Sequence, residues 1–163
     1  MNLRAVAYRP ATVDDRDAIA GLWLAANRAR SGHDVPVDPE LIASRIETHG
    51  AFGFVADDAG GVIGSAILAP ALRDRGAGPA IPGLAHLNSV AVAPGHWGEG
   101  IARALLDLVV DAARRHGYAR IQLFTQGHND RARDLYERNG WQLTPDEVVD
   151  TQGDTLVRYV RRV

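Results

Sequence analysis

A chain of 163 residues, 46% hydrophobic and 23% charged with a formal charge of −2, has the balance of an ordinary globular domain. It holds no cysteine, which excludes disulfides, thiolate nucleophiles, zinc–thiolate sites and cysteine-bound iron–sulfur clusters. All 18 cationic side chains are arginine, so the chemistries that need a lysine ε-amine, the Walker A phosphate loop and Schiff-base catalysis among them, are excluded too.

The expectation is one domain spanning residues 1–163, working in the cytoplasm. Met1 to Pro10 has no apolar leader core, and no run approaches the ~18 apolar residues of a membrane span. The near-neutral charge offers no broad basic surface for nucleic acid. Neither a membrane nor a nucleic acid is expected as a partner.

In chain order, a short strand is predicted at Ala5 to Arg9. Thr12, three residues before Asp15, opens a first helix with the apolar stripe Ala18, Ile19, Leu22, Trp23 and Ala26. After a loop at Ser31 to Val37, Asp38 as N-cap and Pro39 at the first helical position open a second helix that closes before Gly50. Ala51 to Ala56 and Val62 to Ala69 flank Asp57-Asp58-Ala59-Gly60-Gly61, the turn chemistry of an antiparallel hairpin. Pro70 to Gly83 reads as a long mobile loop.

A strand follows at Ala85 to Val92. Ile101, Ala104, Leu105, Leu108 and Ala112 give a helix that stops at Gly117. A strand at Arg120 to Thr125, a short helix from Asp130 to Asn139 and strands at Trp141 to Leu143 and Thr155 to Val160 complete the order βααβββαβαββ.

Two segments carry chemistry. Val90 to Ala102 runs from a strand through a glycine turn into a helix, where Gly98 and Gly100 permit a tight turn and first-turn amides without intrahelical partners favour an anion such as a pyrophosphate. A dinucleotide fingerprint fits less well, because the third small position is Arg103. The second segment, Asn129 to Trp141, has Asn129 as N-cap and Ala132, Leu135 and Tyr136 on one face; alone it describes only a short amphipathic helix.

Together these features resemble the GCN5-related N-acetyltransferase (GNAT) superfamily over nearly the whole chain. The family's turn pattern, Gln/Arg-x-x-Gly-x-Gly/Ala, maps onto Trp97-Gly98-Glu99-Gly100-Ile101-Ala102, with tryptophan departing at the first position. Its Asn-x-x-Ala-x-x-Leu-Tyr-x-x-x-Gly-Phe/Trp pattern maps onto Asn129 to Trp141.

The resemblance implies an α/β fold with a mixed, mostly antiparallel sheet of six to seven strands flanked by about four helices. It further implies acetyl-CoA as co-substrate, held by the backbone of Val90 and Val92, by the turn Trp97, Gly98, Gly100, Ile101 and Ala102 with Arg103 as a phosphate contact, and by Asn129 on the pantetheine. Tyr136 would protonate the departing thiolate; a phenol of ordinary pKa about 10 is a credible acid toward a thiolate of about 8.5.

Strand alternation puts His86 and Asn88 on the side of Val90 and Val92. Ala-His-Leu-Asn-Ser-Val-Ala-Val is similar to the arylalkylamine acetyltransferases, where two histidines at the places of His86 and Asn88 are linked to deprotonating the amine. Only the first is retained, so His86 and a bound water both stand as the base. The acceptor is expected to be the primary amine of a small molecule, bound near Trp23, His33 and Asn88. A peptide N-terminus and a catalytically silent acyl-CoA-binding module are the alternatives. The histidines show no metal-ligand spacing, so no metal is expected. Direct transfer in a ternary complex is favoured over a covalent enzyme intermediate, since no serine lies in a nucleophile elbow. A homodimer is left open.

Overall fold

The computed structural model describes residues 5–150 and 152–163. The reading of the N-terminus therefore lies partly outside the described residues. Among these, the elements follow the expected order: β1 (Ala7–Pro10), α1 (Arg16–Ser31), α2 (Pro39–Ala43), β2 (Phe52–Asp58), β3 (Gly61–Leu72), β4 (Ala80–Val92), α3 (Ile101–Arg115), β5 (Arg120–Gln126), α4 (Asp130–Arg138), β6 (Gln142–Val149) and β7 (Thr155–Arg162). The seven strands form one sheet in the hydrogen-bonded order β1-β2-β3-β4-β5-β7-β6. β1–β2, β2–β3, β5–β7 and β6–β7 are antiparallel, and β4–β5 is parallel over Leu84–His86 and Arg120–Gln122. This is the mixed, mostly antiparallel sheet with four helices that the sequence pointed to.

By density of contacts the chain clusters into two units, one ending at Ala69 and resuming over Asn88–Ala112, the other comprising Pro70–Leu87 and Ala113–Val163. In the first, the predicted stripe of α1 is buried: Ile19 packs with Ile46, Val55 and Ile67, while Leu22 and Ala26 pack with Ala91. The entry to α1 is fixed by the Thr12 N–H donating to Asp15 Oδ2 at 2.8 Å, the acid side of a capping box. Asp15 also accepts two hydrogen bonds from Arg9, at 2.7 and 2.8 Å. Gly64 on β3 lets α3 approach closely, since a Cβ there would lie 2.9 Å from Ile101 Cγ2 and 3.0 Å from Leu105 Cδ1. Ile101 is the first residue of α3, so the close approach is at the start of the helix.

In the second unit, Ile121 and Leu123 of β5 are buried while Gln122 and Phe124 are only half-buried, the period of two that a strand imposes. Tyr136, Trp141 and Tyr159 are buried together, with ring centroids 5.7 and 5.8 Å from Tyr136.

Three local expectations are corrected. The loop expected from Pro70 to Gly83 is short, because β3 continues to Leu72 and β4 starts at Ala80. Pro70 lies beyond the part of β3 that pairs with β2, which ends at Phe52↔Leu68, so its missing N–H deprives β2 of no partner. The turn is closed by the Arg73 N–H donating to Pro79 O and the Gly78 N–H donating to Arg73 O, both at 2.9 Å. The second helix is also shorter, with α2 ending at Ala43 and passing into a 3-10 turn over Ser44–Glu47. Finally, β6 extends to Val149, carried past Pro145 by a register irregularity between Leu143 and Glu147.

Candidate active site

β4 carries the first part of the site. Leu87, Ser89 and Ala91 are buried and His86, Asn88 and Val90 half-buried, the alternation expected, with Val92 departing as a buried residue. Ser89 has φ +53°, a left-handed conformation that side chains other than glycine rarely adopt inside a strand. It is held there: the Ser65 hydroxyl donates to Ser89 O at 2.7 Å, and Arg45 donates to the Ser89 hydroxyl at 3.3 Å. The Asn88 carboxamide oxygen is buried and accepts no hydrogen bond from the described residues. A buried acceptor without a donor is an unfavourable state that an incoming N–H relieves.

After Val92 the chain makes a 3-10 turn at Pro94–His96 and reaches the glycine turn. The Trp97 indole N–H donates to Val92 O at 2.8 Å, and its ring packs against Leu22, Ala26 and Ala91. Tryptophan here is thus an anchor that ties the turn to the end of β4. Gly98 and Gly100 have φ +84° and +82°, and a Cβ at either would meet nothing within 4 Å. The turn needs glycine for its conformation, and the space beside it is open. Ala104 N–H is bonded back to Gly100 O at 3.1 Å, so the amides just before it stand at the positive end of α3, where Gly100 has no side chain to cap them. No acidic residue lies in that first turn, and Arg114 and Arg115 occupy the last, complementing the helix dipole at that end. Ile101 is buried, Ala102 half-buried and Arg103 exposed. The residues present fit a pyrophosphate: backbone donors, glycines without side chains and no nearby acid on the helix.

Within the other unit, Gln122 Nε2 lies 3.5 Å from His86 Nδ1, and Phe124 stands beside the imidazole with ring centroids 6.0 Å apart. Arg158 Nε donates to Gln122 Oε1 at 2.9 Å and is itself paired with Asp146 at 3.2 Å. This directs the amide nitrogen of Gln122 toward His86 Nδ1. Neither Gln122 nor Arg158 was singled out from sequence. Only the parallel register His86↔Gln122 brings them to the histidine.

Tyr136 is buried on α4 between Trp141 and Tyr159. The Tyr159 hydroxyl donates to Glu137 Oε1 at 2.6 Å and accepts from Arg133 Nε at 3.0 Å, while Arg133 also donates to Gly127 O at 2.8 Å. Burial, ahead of the Glu137 hydrogen bond, pushes the Tyr159 phenol up from its ordinary value. That network pins the helix bearing Tyr136. Asn129 caps α4, its Oδ1 accepting from Ala132 N–H at 3.3 Å, which leaves the amide nitrogen as its remaining donor.

Of the residues expected on the acceptor side, Trp23 is half-buried with the Arg45 guanidinium 5.7 Å from its ring centroid, while His33 is exposed, its Nδ1 3.1 Å from Asp34 O. Among the described residues no group of three His, Cys, Asp or Glu side chains is placed to hold a metal ion, and no helix is long and apolar enough to cross a membrane.

Residues 17–141 match the family model described as "Acetyltransferase (GNAT) family". The chain belongs to the acetyltransferase (GNAT) family. It is 29% identical to the uncharacterized N-acetyltransferase YhfO of Bacillus subtilis over 135 residues, 82% of this chain and 88% of that protein. It is 44% identical to the mycothiol acetyltransferase of Beutenbergia cavernae over 52 residues, 32% of this chain, and the match spans only 18% of that longer protein. In fold it is similar to the ribosomal-protein-S18-alanine N-acetyltransferase of Escherichia coli, with a TM-score of 0.76, 20% identity and coverage of 98% of this chain and 94% of the other. The yncA structure of Salmonella typhimurium, which contains its cofactor acetyl-CoA, superposes with a TM-score of 0.72 at 21% identity, over 97% of this chain and 94% of that one.

Proposed function

We propose that this GNAT protein is a single-domain cytoplasmic N-acetyltransferase that moves an acetyl group from acetyl-CoA to the primary amine of a small molecule, by direct transfer in a ternary complex. The observation that carries this reading is the turn itself: two left-handed glycines with open space beside them, between β4 and the start of α3. The amides of Gly98, Gly100, Ile101 and Ala102 hold the pyrophosphate, and Arg103 supplies an exposed cation beside it. Trp97 acts through the backbone, tying the turn to Val92. Val90 and Val92 offer main-chain groups to the pantetheine arm in the manner of an added strand, and the Asn129 amide nitrogen supplies a side-chain donor.

When bound, acetyl-CoA supplies an acyl group activated as a thioester. The chain's own residues then position and move protons. Asn88 Oδ1, which lacks a donor among the described residues, accepts an N–H of the acceptor amine, and Trp23 and His33 line the acceptor side. The amine proton leaves to the His86 imidazole, directly or through one water. Tyr136 donates its phenolic proton to the departing sulfur, and its packing between Trp141 and Tyr159 limits where the hydroxyl can point.

The test is release of CoA thiol from acetyl-CoA across an amine library, with peptides as acceptors in the same plate. Small amines should turn over, and turnover of peptides alone would replace the small-molecule acceptor with a polypeptide N-terminus. With a substrate of low amine pKa, kcat/KM should rise with pH through a limb in the imidazole range, near 6.5 for an ordinary histidine, and H86Q should abolish that limb. Its survival in H86Q would remove His86 as the base.

A further inference from the structure

Arg45 lies on the 3-10 turn that follows α2 and is half-buried. Its guanidinium sits over the Trp23 ring, 5.7 Å from the centroid, and donates to the Ser89 hydroxyl at 3.3 Å. Among the described residues no carboxylate pairs with it, although acids are plentiful on neighbouring elements. Those are committed elsewhere: Asp15 to Arg9, Glu40 and Glu47 to Arg16, and Asp34 to Arg28, while Asp38 caps α2. Burial alone moves the Arg45 guanidinium below the ordinary arginine value, with no opposing anion to offset it. The group nonetheless stays charged, as arginine does throughout proteins.

A desolvated cation with two of its partners a hydroxyl and a ring face is under-compensated, since both interactions are weaker than a carboxylate fork. The neighbours are chosen for orientation instead: Trp23 fixes the guanidinium plane, and Ser89 is itself locked by Ser65 in a left-handed conformation within β4, next to Asn88 and Val90. A strained strand residue that positions a half-buried, unneutralised arginine is the arrangement of a recognition point for an anion.

We propose that Arg45 binds an anionic group, a carboxylate or another oxyanion, carried by the acceptor amine itself, so that the substrate class is an amino acid or amino-oxyanion and not a simple alkylamine or arylalkylamine. This rests on the N-acetyltransferase reading and deepens it. The substrate's anion neutralises the guanidinium held beside Ser89 on β4.

The test uses amino carboxylates whose amine-to-carboxylate spacing runs from one carbon to about five, each matched with its carboxamide and its aminophosphonate and compared at equal free-amine concentration. Thiol release gives kcat/KM, and calorimetry on the CoA-loaded protein gives binding. For at least one spacing the carboxylate should exceed its carboxamide by about 10- to 100-fold, the range expected of a charge-assisted pair. R45M should remove that preference by lowering the carboxylate while leaving the carboxamide unchanged, and R45K should retain part of it; the aminophosphonate arm reads whether any oxyanion serves. Affinity for acetyl-CoA and thermal midpoint, measured on the same variants, separate recognition from folding. Equal use of carboxylates and carboxamides by the wild type, or loss of both in R45M, overturns the proposal while the acetyltransferase reading stands. Absence of thiol release with every amine overturns the acetyltransferase reading instead; the calorimetric arm then decides alone, and carboxylate-indifferent binding overturns the proposal.

Discussion

Replacing Trp97 separates its two conceivable roles, anchor and ligand. W97F keeps most of the ring against Leu22, Ala26 and Ala91 and removes the N–H that donates to Val92 O at 2.8 Å. A net hydrogen bond contributes about 1 kcal/mol, so W97F should lower stability by about that amount and the thermal midpoint by roughly 2–4 °C in a chain of this size. W97A also leaves a void in the cluster. Deleting a fully buried aromatic costs about 3–5 kcal/mol, and a half-buried one roughly half of that, so with the lost hydrogen bond W97A should cost about 3 kcal/mol and roughly 6–12 °C. Circular dichroism under urea and heat measures both, and calorimetry follows acetyl-CoA. Because the phosphates are assigned to amides and not to the indole, W97F should change Kd by no more than about three-fold, well under 1 kcal/mol. A W97F protein that melts like the wild type yet binds acetyl-CoA ten or more times more weakly would refute the anchor account and make the indole a cofactor contact.

Other consequences follow from the same geometry. Gly100→Val places a β-branched side chain at φ +82°, a strain of about 1–3 kcal/mol, and fills the open space beside the turn; the fold should survive while acetyl-CoA affinity falls at least about tenfold by calorimetry. Tyr136→Phe preserves the packing with Trp141 and Tyr159, so kcat should drop by about 10²- to 10⁴-fold with acetyl-CoA affinity nearly unchanged; a normal kcat under chemistry-limited conditions would leave Tyr136 a packing residue. The hydrogen bonds from Arg9 hold the Asp15 carboxyl below the usual carboxylate range, against the opposing effect of burial. A depressed folded-state value means the contribution is present above the unfolded value of about 3.9 and is lost as pH falls from there toward the folded value. Urea midpoints measured from neutral pH down to about 2 should therefore fall less steeply at the acid end in D15N than in the wild type; parallel curves would show that the Arg9 pair does not couple to folding.

Local chemistry made much of this protein readable from its residues. The order of elements, the cap at Asp38, the hairpin turn at Ala59-Gly60 and the end of α3 at Gly117 all follow from interactions within a few residues of the chain, which is why their signals survive in a bare sequence. The two motifs share that property, since a glycine turn and a capped helix are defined by spacing alone. Where tertiary pairing decides the outcome, the sequence misleads or is silent. Pro70 and Pro79 read as loop punctuation, yet the first lies inside β3 because its missing N–H falls where β2 has already ended. Trp97 reads as a departure from the family's turn, and only the fold shows its indole reaching back to Val92. His86 stands out in the sequence as a candidate base, but its neighbours do not, because Gln122 and Arg158 come from strands brought alongside it by sheet register. Arg45 shows nothing in its local sequence, 22 residues from Trp23 and 44 from Ser89. Its significance depends on burial and on which acids are already paired, and both are properties of the assembled structure alone.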